Sequence, residues 1–479
     1  MHEKNLNKIC LGLSIISSIL FVLIYSWTTS PLYHWINFDS SVYRVMGWMT
    51  SQGSIPYKDM FDHKGPFFVL LETIGHLLNP SFGIAIIQMI VWFFTFWGTY
   101  KILGEFFKSK KIIVALCFSV SVYIFLYYIS AGNYVEEYCL PFLVWSYVYL
   151  IRYFINSKDN HQHNPKYAIL YGFSFAVCAF TKLSNAIPLC ITIAVIVIVL
   201  ILNKKWKNLL INTVAFIFGM FICALPFLIW FGANGALGDM FYATFVFNFK
   251  YVNYYHPTIN NTVLIKQVLR YLSIFGIGFI VLWLNKRKIL LNIAVSLQLL
   301  TGIIFFFGGA KFLHYLIIWI PSVIIALCIG WTSNTHTKIC KTVIAITMCY
   351  ILAMMLFSFS DCHNIYASDR TQRFEKEIDR VINKIPKKDK KSVVALNSSA
   401  HIYLYGNIKP CFKYFVLQDF HSKVDNKIQE YLDTNLEKQK ARYIIIEKAY
   451  NKKLKESFIN NYDYVMETKS LKLYRAKGK

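Results

Sequence analysis

Five short stretches carry the side chains that could do chemistry in this otherwise apolar chain. They are NFDSSVY with Asp39 and Arg44 just beyond it, IPYKDMFDHKGP with Tyr57, Asp59, His63 and Lys64, GNYVEEYCLPF with Glu136 and Glu137, FTKLSN with Lys182, and AKFLHY with Lys311, His314 and Tyr315. A carboxylate can take the proton from an attacking hydroxyl, while lysine, arginine and histidine can hold the negative charge of a departing phosphate. Oxygen ligands also suit a hard divalent cation, so Asp39, Glu136 and Glu137 are the candidate ligands should Mg or Mn take part. No histidine or cysteine spacing indicates a zinc cage. Simpler roles compete with each of these. Asp39 is placed to cap a following helix, Glu136 and Glu137 to favour a helix start, and single cations to snorkel to lipid headgroups.

What must position these groups is a membrane protein. Of the 479 residues 56% are hydrophobic and 16% charged, with mean hydropathy +0.43, far from the balance of a soluble domain. The net charge of +25 forms no basic face with interleaved aromatics, so nucleic acid is not an expected partner. A spanning helix needs about 20 apolar residues. Eleven runs meet or approach that length: 9–27, 82–104, 112–130, 137–155, 167–182, 185–202, 208–231, 268–284, 289–308, 313–332 and 339–359. The first lacks a small-residue cleavage site and reads as an anchor. The run PFFVLLETIGHLL at 66–78 is too short to span and reads as a helix lying in the interface.

Lysine and arginine placement orients these spans. With the N-terminus inside, the outer segments before the tail hold Arg44, Lys58, Lys64, Lys182, Lys250, Lys266, Arg270 and Lys311, and the inner segments hold twice as many. An odd number of spans then puts the C-terminus outside. The outer face carries a long first loop (28–81), the GNYVEEY loop, the aromatic stretch at 240–255 and the GGAKFLHY turn. Beyond residue 360 the chain alternates polar helical patterns with short β-like runs, SVVALN, IYLYGN, RYIIIE and LKLYRA, as a small α/β domain would. Nine of the eleven cysteines lie in or beside apolar runs, leaving Cys362 and Cys411 as the one pair to consider for a disulfide. The expected class is therefore an all-α polytopic plasma-membrane (inner-membrane) protein, spanning over 1–360, with an extracytoplasmic α/β domain over 361–479.

Most inner charges are explained by topology, so the outer ones bear on function. A base toward an acceptor hydroxyl, beside cations that grip a phosphate anchored in the bilayer, is what sugar transfer from a polyprenyl phosphate requires. It needs no nucleotide, and no phosphate-binding glycine loop is present.

The stretch FDSSVYRVMGWMTSQGSIPYKDMFDHKGP resembles the first outer loop of the polytopic GT-C glycosyltransferases, in the dolichyl-phosphate-mannose protein mannosyltransferase and aminoarabinose transferase superfamily (glycosyltransferase family 39-like). That pattern is an Asp soon after the first helix, Gly-x-x-Pro-Tyr, then Asp-x-x-x-x-Lys-x-Pro, matched by Asp39, by Gly53, Pro56 and Tyr57, and by Asp59, Lys64 and Pro66. GNYVEEYCLPF resembles the second-loop acidic motif, FTKLSN the lysine after the fifth helix, and GGAKFLHYLIIWIP the late outer-loop motif. The resemblance spans about residues 10–360. It implies a GT-C-like fold and inverting sugar transfer from a polyprenyl-phosphate donor to a glycan, lipid or protein acceptor. Asp39 would then be the acid/base position, Glu136 or Glu137 the second acidic position, and Lys64 a donor-phosphate contact. Arg44, Tyr57, Asp59, His63, Lys182, Lys311, His314 and Tyr315 are the further candidates for substrate binding. Lys64-Gly65-Pro66 replaces the usual Lys-Pro-Pro, and two Glu replace a single Asp, which is closer to the bacterial branch acting on surface glycans or lipid-linked sugars.

Alternatives from other classes are a non-catalytic partner, a transporter, or a polymerase in surface-polysaccharide assembly. A transporter is expected to show ionisable groups near the bilayer midplane, often in repeated halves. Here the charges gather at one face and no repeat appears.

Overall fold

The computed structural model describes residues 3–35, 37–127, 132–156, 161–254, 261, 264–265, 268–284, 289–308, 312–332, 337–361, 366–448 and 461–478. Lys311, Lys266 and Cys362 lie outside the described residues, while Cys411 is a free, half-buried thiol. The chain is mostly helical and divides into two compact units. The first comprises Met1–Ser26, Ile86–Ile229 and His256–His363, the second Trp27–Ala85, Trp230–Tyr255 and Asn364–Lys479.

The first nine helices are α1 (Glu3–Tyr25), α2 (Phe38–Ser51), α3 (Pro66–Leu78), α4 (Gly83–Gly104), α5 (Lys111–Tyr127), α6 (Leu140–Asn156), α7 (Pro165–Thr181), α8 (Ile187–Leu202) and α9 (Trp206–Ala233). Among the described residues, eight helical segments are long and apolar enough to cross a membrane: 4–25, 83–104, 137–155, 183–202, 206–233, 289–308, 313–331 and 338–355. This is a multi-pass membrane protein. The expected runs at 112–130, 167–182 and 268–284 also form helices, each shorter than that threshold: α5, α7 and Ser273–Trp283.

Within the first unit the segment Leu313–Trp331 is central, with 89% of its apolar window buried, whereas α9, at 17%, presents most of its surface outward. Phe21 of α1 meets Trp92 of α4 at a ring separation of 4.0 Å, and Tyr123 of α5 closes the cluster edge-on. Polar pins tie the helices together where water cannot. Gln298 donates to Thr192 Oγ1 (2.7 Å) and accepts from Ser322 (2.6 Å), all three buried, linking α8 to two later helices. Helices α7 and α9 touch through glycines. A Cβ on Gly172 would lie 1.9 Å from the Phe216 carbonyl oxygen, and one on Gly219 would lie 2.0 Å from that of Ile169.

In the second unit, α2 and α3 pack backbone to backbone, because a Cβ on Gly47 would lie 2.6 Å from the Glu72 carbonyl. Pro66 starts α3 after Gly65, and Leu70, Ile74, Leu77 and Leu78 form an exposed apolar stripe along it. The tail contributes a four-stranded sheet ordered β1-β2-β4-β3, from β1 (Val393–Leu396), β2 (Tyr443–Glu447), β3 (Tyr462–Glu467) and β4 (Leu471–Ala476). The parallel pair β1–β2 is buried nearly throughout, as its unbroken apolar runs require, and β3 is the exposed edge.

Two expectations are corrected. The run IYLYGN is not a strand: His401–Gly406 forms a short helix ended by Asn407 in the left-handed conformation (φ 47°). Its alternation of apolar and aromatic residues mimics a strand. The preceding Ser399 hydroxyl accepts from His401 N–H, and the Tyr403 hydroxyl accepts from Ala395 N–H, so local hydrogen bonds wind the segment against β1. The strand that completes the sheet, YDYVME, is polar enough to escape notice because it faces outward.

The glycine contact is testable. Gly172→Ala should lower the thermal midpoint in detergent and Gly172→Leu should abolish monodisperse protein. Gly276→Ala, where nothing lies within 4 Å of the new methyl, should leave both unchanged.

Candidate active site

In the first unit, the turn before α6, the turn after α7 and the 3-10 segment Leu313–Trp319 bring together four of the expected residues, Glu136, Lys182, His314 and Tyr315. Lys182 caps the end of α7 and donates to Glu136 Oε1 at 3.0 Å. The same ammonium lies 3.6 Å from the centroid of the Tyr315 ring, and His314 stacks on Tyr134 at 4.5 Å. Burial works against charge on the Glu136 carboxyl, but Lys182 and His314, helped by hydrogen bonds, hold it below its ordinary value. Its neighbour differs. Glu137 is fully buried and accepts from Gln88 and Trp92 (both 3.1 Å) and from the Tyr134 backbone (2.6 Å). Neutral donors thus occupy both of its oxygens, as in a carboxylate that pins a loop onto helices. The loop needs Gly132 at φ 91°, where a Cβ would lie 2.2 Å from Ser26 Oγ.

In the second unit, IPYKDMFDHKGP is a chain of tight turns. Gly53 and Tyr57 take positive φ (83° and 68°), and Asp59 accepts from Ile55 N–H at 2.7 Å, so Asp59 serves the turn. Buried Tyr57 donates to the Lys64 carbonyl at 2.6 Å. Asp62 accepts from Lys64 N–H (2.8 Å), and the Lys64 ammonium lies 3.5 Å from Asp62 and 3.1 Å from His63 Nε2. Burial opposes the Asp62 charge, yet Lys64 and His63 hold its pKa at about 2. His63 in turn stacks on Tyr251 at 5.1 Å, and its carbonyl accepts from Asn248, both in the aromatic stretch foreseen at 240–255.

Asp39 is an exposed residue in the first turn of α2, but it is not the helix cap. Asn37 is, accepting from the backbone N–H groups of Asp39 and Ser40. Arg44, one turn on, donates to the carbonyls of Pro80 (2.9 Å) and Ser81 (3.3 Å).

The tail supplies groups that sequence reasoning missed. His421 is completely buried among Phe61, Phe247 and His63, and neither ring nitrogen has a hydrogen-bond partner. Burial, with Lys64 adding and Asp62 opposing, pushes its pKa down to about 4. Glu375 bridges two histidines, His34 at 2.7 Å and His401 at 2.9 Å. No spacing announces either cluster, since each joins segments hundreds of residues apart. Among the described residues, no three His, Cys, Asp or Glu side chains converge as metal ligands. Glu136 faces an ammonium and Glu137 three N–H donors, so this pair does not fit a divalent cation.

A family model described as "Putative competence-induced protein Ccs4 N-terminal domain" matches residues 2–344. In three dimensions the chain is similar to ArnT from Cupriavidus metallidurans bound to undecaprenyl phosphate, with TM-score 0.62 at 10% identity over 97% of each chain. Apo ArnT from the same organism gives TM-score 0.63 at 9% identity, covering 99% of this chain and 98% of that one. No curated protein matches the sequence. The likeness is one of fold, and it is the GT-C fold that the motifs led us to expect.

Two variants probe these clusters. Lys182→Met should destabilise by about 3–5 kcal/mol by stranding buried Glu136, and adding Glu136→Gln should restore much of the thermal midpoint. The folded chain refuses a proton on His421 that the unfolded chain accepts below about pH 6.5, so stability should fall as pH drops from there toward 4. His421→Phe should flatten that fall and gain about 1–3 kcal/mol by removing two unpartnered buried nitrogens; an unchanged slope in detergent melts would clear His421 as the source.

Proposed function

The chain belongs to the Ccs4 N-terminal-domain family, and we propose that it is a membrane glycosyltransferase that moves a sugar from a polyprenyl-phosphate donor to a hydroxyl of a surface glycan, lipid or protein. The observation that carries this reading is the ArnT-like fold over nearly the whole chain, with Asp39 exposed on α2 and relieved of capping by Asn37. ArnT is a GT-C aminoarabinose transferase, and one of its two structures is bound to undecaprenyl phosphate.

In this mechanism the Asp39 carboxylate takes the proton of the acceptor hydroxyl as its oxygen attacks the anomeric carbon. The bond from that carbon to the phosphate oxygen breaks, the configuration inverts, and polyprenyl phosphate leaves with the electron pair. Lys64 stabilises the leaving phosphate. Its ammonium offers three donors, and the described structure engages it only with Asp62, His63 and the face of Tyr43, so capacity remains for an anion. Glu136 and Lys182, with Tyr315 and His314, form a separate polar set within the first unit. No step is routed through a divalent metal. In the plasma membrane, an N-inside orientation would put Asp39, Lys64 and the tail on the outer side, where an acceptor of the cell surface would be met.

Asp39→Asn should cut transfer in proteoliposomes by about 10²- to 10⁴-fold at normal expression. Lys64→Met should raise KM for the lipid donor more than it lowers turnover on a soluble acceptor. If Asp39→Asn and Glu137→Gln cells both make full amounts of surface glycan, the chain is a non-catalytic partner. Parallel assays with mono- and diphosphate lipid donors separate this enzyme from a polymerase.

A further inference from the structure

The second unit contains a polar cavity that none of the roles above uses. It has a volume of about 490 Å³ and lies beside the first turn of α2, with Asn37, Ser40 and Ser41 in its wall on either side of Asp39 in the sequence. The rest of the wall comes from the segment after α1, from Arg44, from the turn at Ser81 and Phe82, and from the tail residues Thr371, His401 and Tyr405. Resting on the transferase reading, we propose that this cavity is the acceptor subsite and that it takes a neutral, hydroxyl-rich sugar ring.

Three features argue for that ligand. The first is polarity without an uncompensated cation. Arg44 brings the positive charge, which buried Glu72 and, behind the wall, Glu375 (6% exposed) already counter, so a neutral guest is accommodated and a phosphate finds no free cation to meet it. The second is the direction of the hydrogen bonds. Glu375 engages Nε2 of both His34 and His401, and in the neutral His401 ring whose Nε2–H donates to that carboxylate Nδ1 is left as an acceptor for a sugar hydroxyl. Burial keeps the His401 pKa below its ordinary value, so neutral imidazole is its resting form near pH 7. Arg44 supplies the opposite polarity, with donors beyond the one that meets Pro80 and Ser81. The third is the mixture of walls. Hydroxyls from Thr28, Thr29, Ser30 and Thr371 are interleaved with the rings of Trp35 and Tyr405, a combination that meets the polar rim and the apolar face of a pyranose together.

The test is saccharide binding to the full chain in nanodiscs without any lipid donor, read by saturation-transfer NMR. The probes are methyl glucoside, methyl galactoside, N-acetylglucosamine and, as the anionic control, glucuronate. At least one neutral probe should bind saturably in the millimolar range, more tightly than glucuronate. Thr371→Val and His401→Gln should each weaken it about three- to tenfold, and Tyr405→Ala should do so more strongly. With donor present, the same variants should raise the acceptor KM while leaving undecaprenyl-phosphate binding unchanged. The proposal is overturned if no neutral probe binds, if glucuronate binds best, or if binding survives both Thr371→Val and His401→Gln in protein with wild-type melting. Variant-sensitive sugar binding in a wild-type chain that transfers nothing would instead remove the transferase reading and leave the sugar site standing.

Discussion

A buried carboxylate must either be met by donors or lose its charge, and four buried acids of this protein show how differently that is done. Glu136 takes an ammonium, Glu137 three neutral N–H groups, Asp62 a lysine and its backbone, Glu375 two imidazoles. The partner decides the role. A carboxylate saturated by neutral donors pins structure, as Glu137 pins its loop to α4. A carboxylate that shares a cation leaves that cation with direction and spare capacity, as at Lys64. Asp39 and Asp59 are the exposed ones among the expected acids; Asp59 is held by its turn, whereas Asn37 has taken over the capping that would have tied Asp39 to the helix end.

The legible part of this architecture is the part set by local rules. Span positions follow from runs of apolar residues whose length is fixed by the bilayer, and the start of α3 follows from Gly-Pro. The likeness of KDMFDHKGP to a known loop led to Lys64, but not to the partition of labour around it. Whether Asp59 or Asp62 pairs with the lysine depends on which one the turn at Tyr57 folds inward, and a positive φ at a tyrosine has no sequence signature. Similarly, adjacent Glu136 and Glu137 are indistinguishable as letters, while one turn of 3-10 helix sends them to different neighbours. His421 and Glu375 lay in a tail read only for its fold class, and their significance comes from segments far away in the chain.

The comparisons sharpen this. Sequence identity to ArnT is about one residue in ten, yet the folds superpose over nearly the full length of both chains. What persists under such divergence is the hydrophobic patterning that sets helices in the bilayer. The side chains that would recognise a particular sugar are free to change within it. The cluster of Arg44, His34, Glu375 and His401 lies in the second unit beside the polar cavity, joined by side-chain contacts that the fold alone does not dictate.

The second unit is assembled from three pieces of chain, and the backbone of Phe61 donates to Lys413, about 350 residues later. Biogenesis inherits that separation. The residues around Lys64 are synthesised early, but their partners in the tail emerge only after the intervening helices. Until then the first loop lacks the contacts that the tail gives it at Phe61 and His63. A chain stopped short of the tail would leave Phe61 without the backbone bond to Lys413 and without the His421 ring that packs against it, so the turns around Lys64 depend on the part of the chain made long after them.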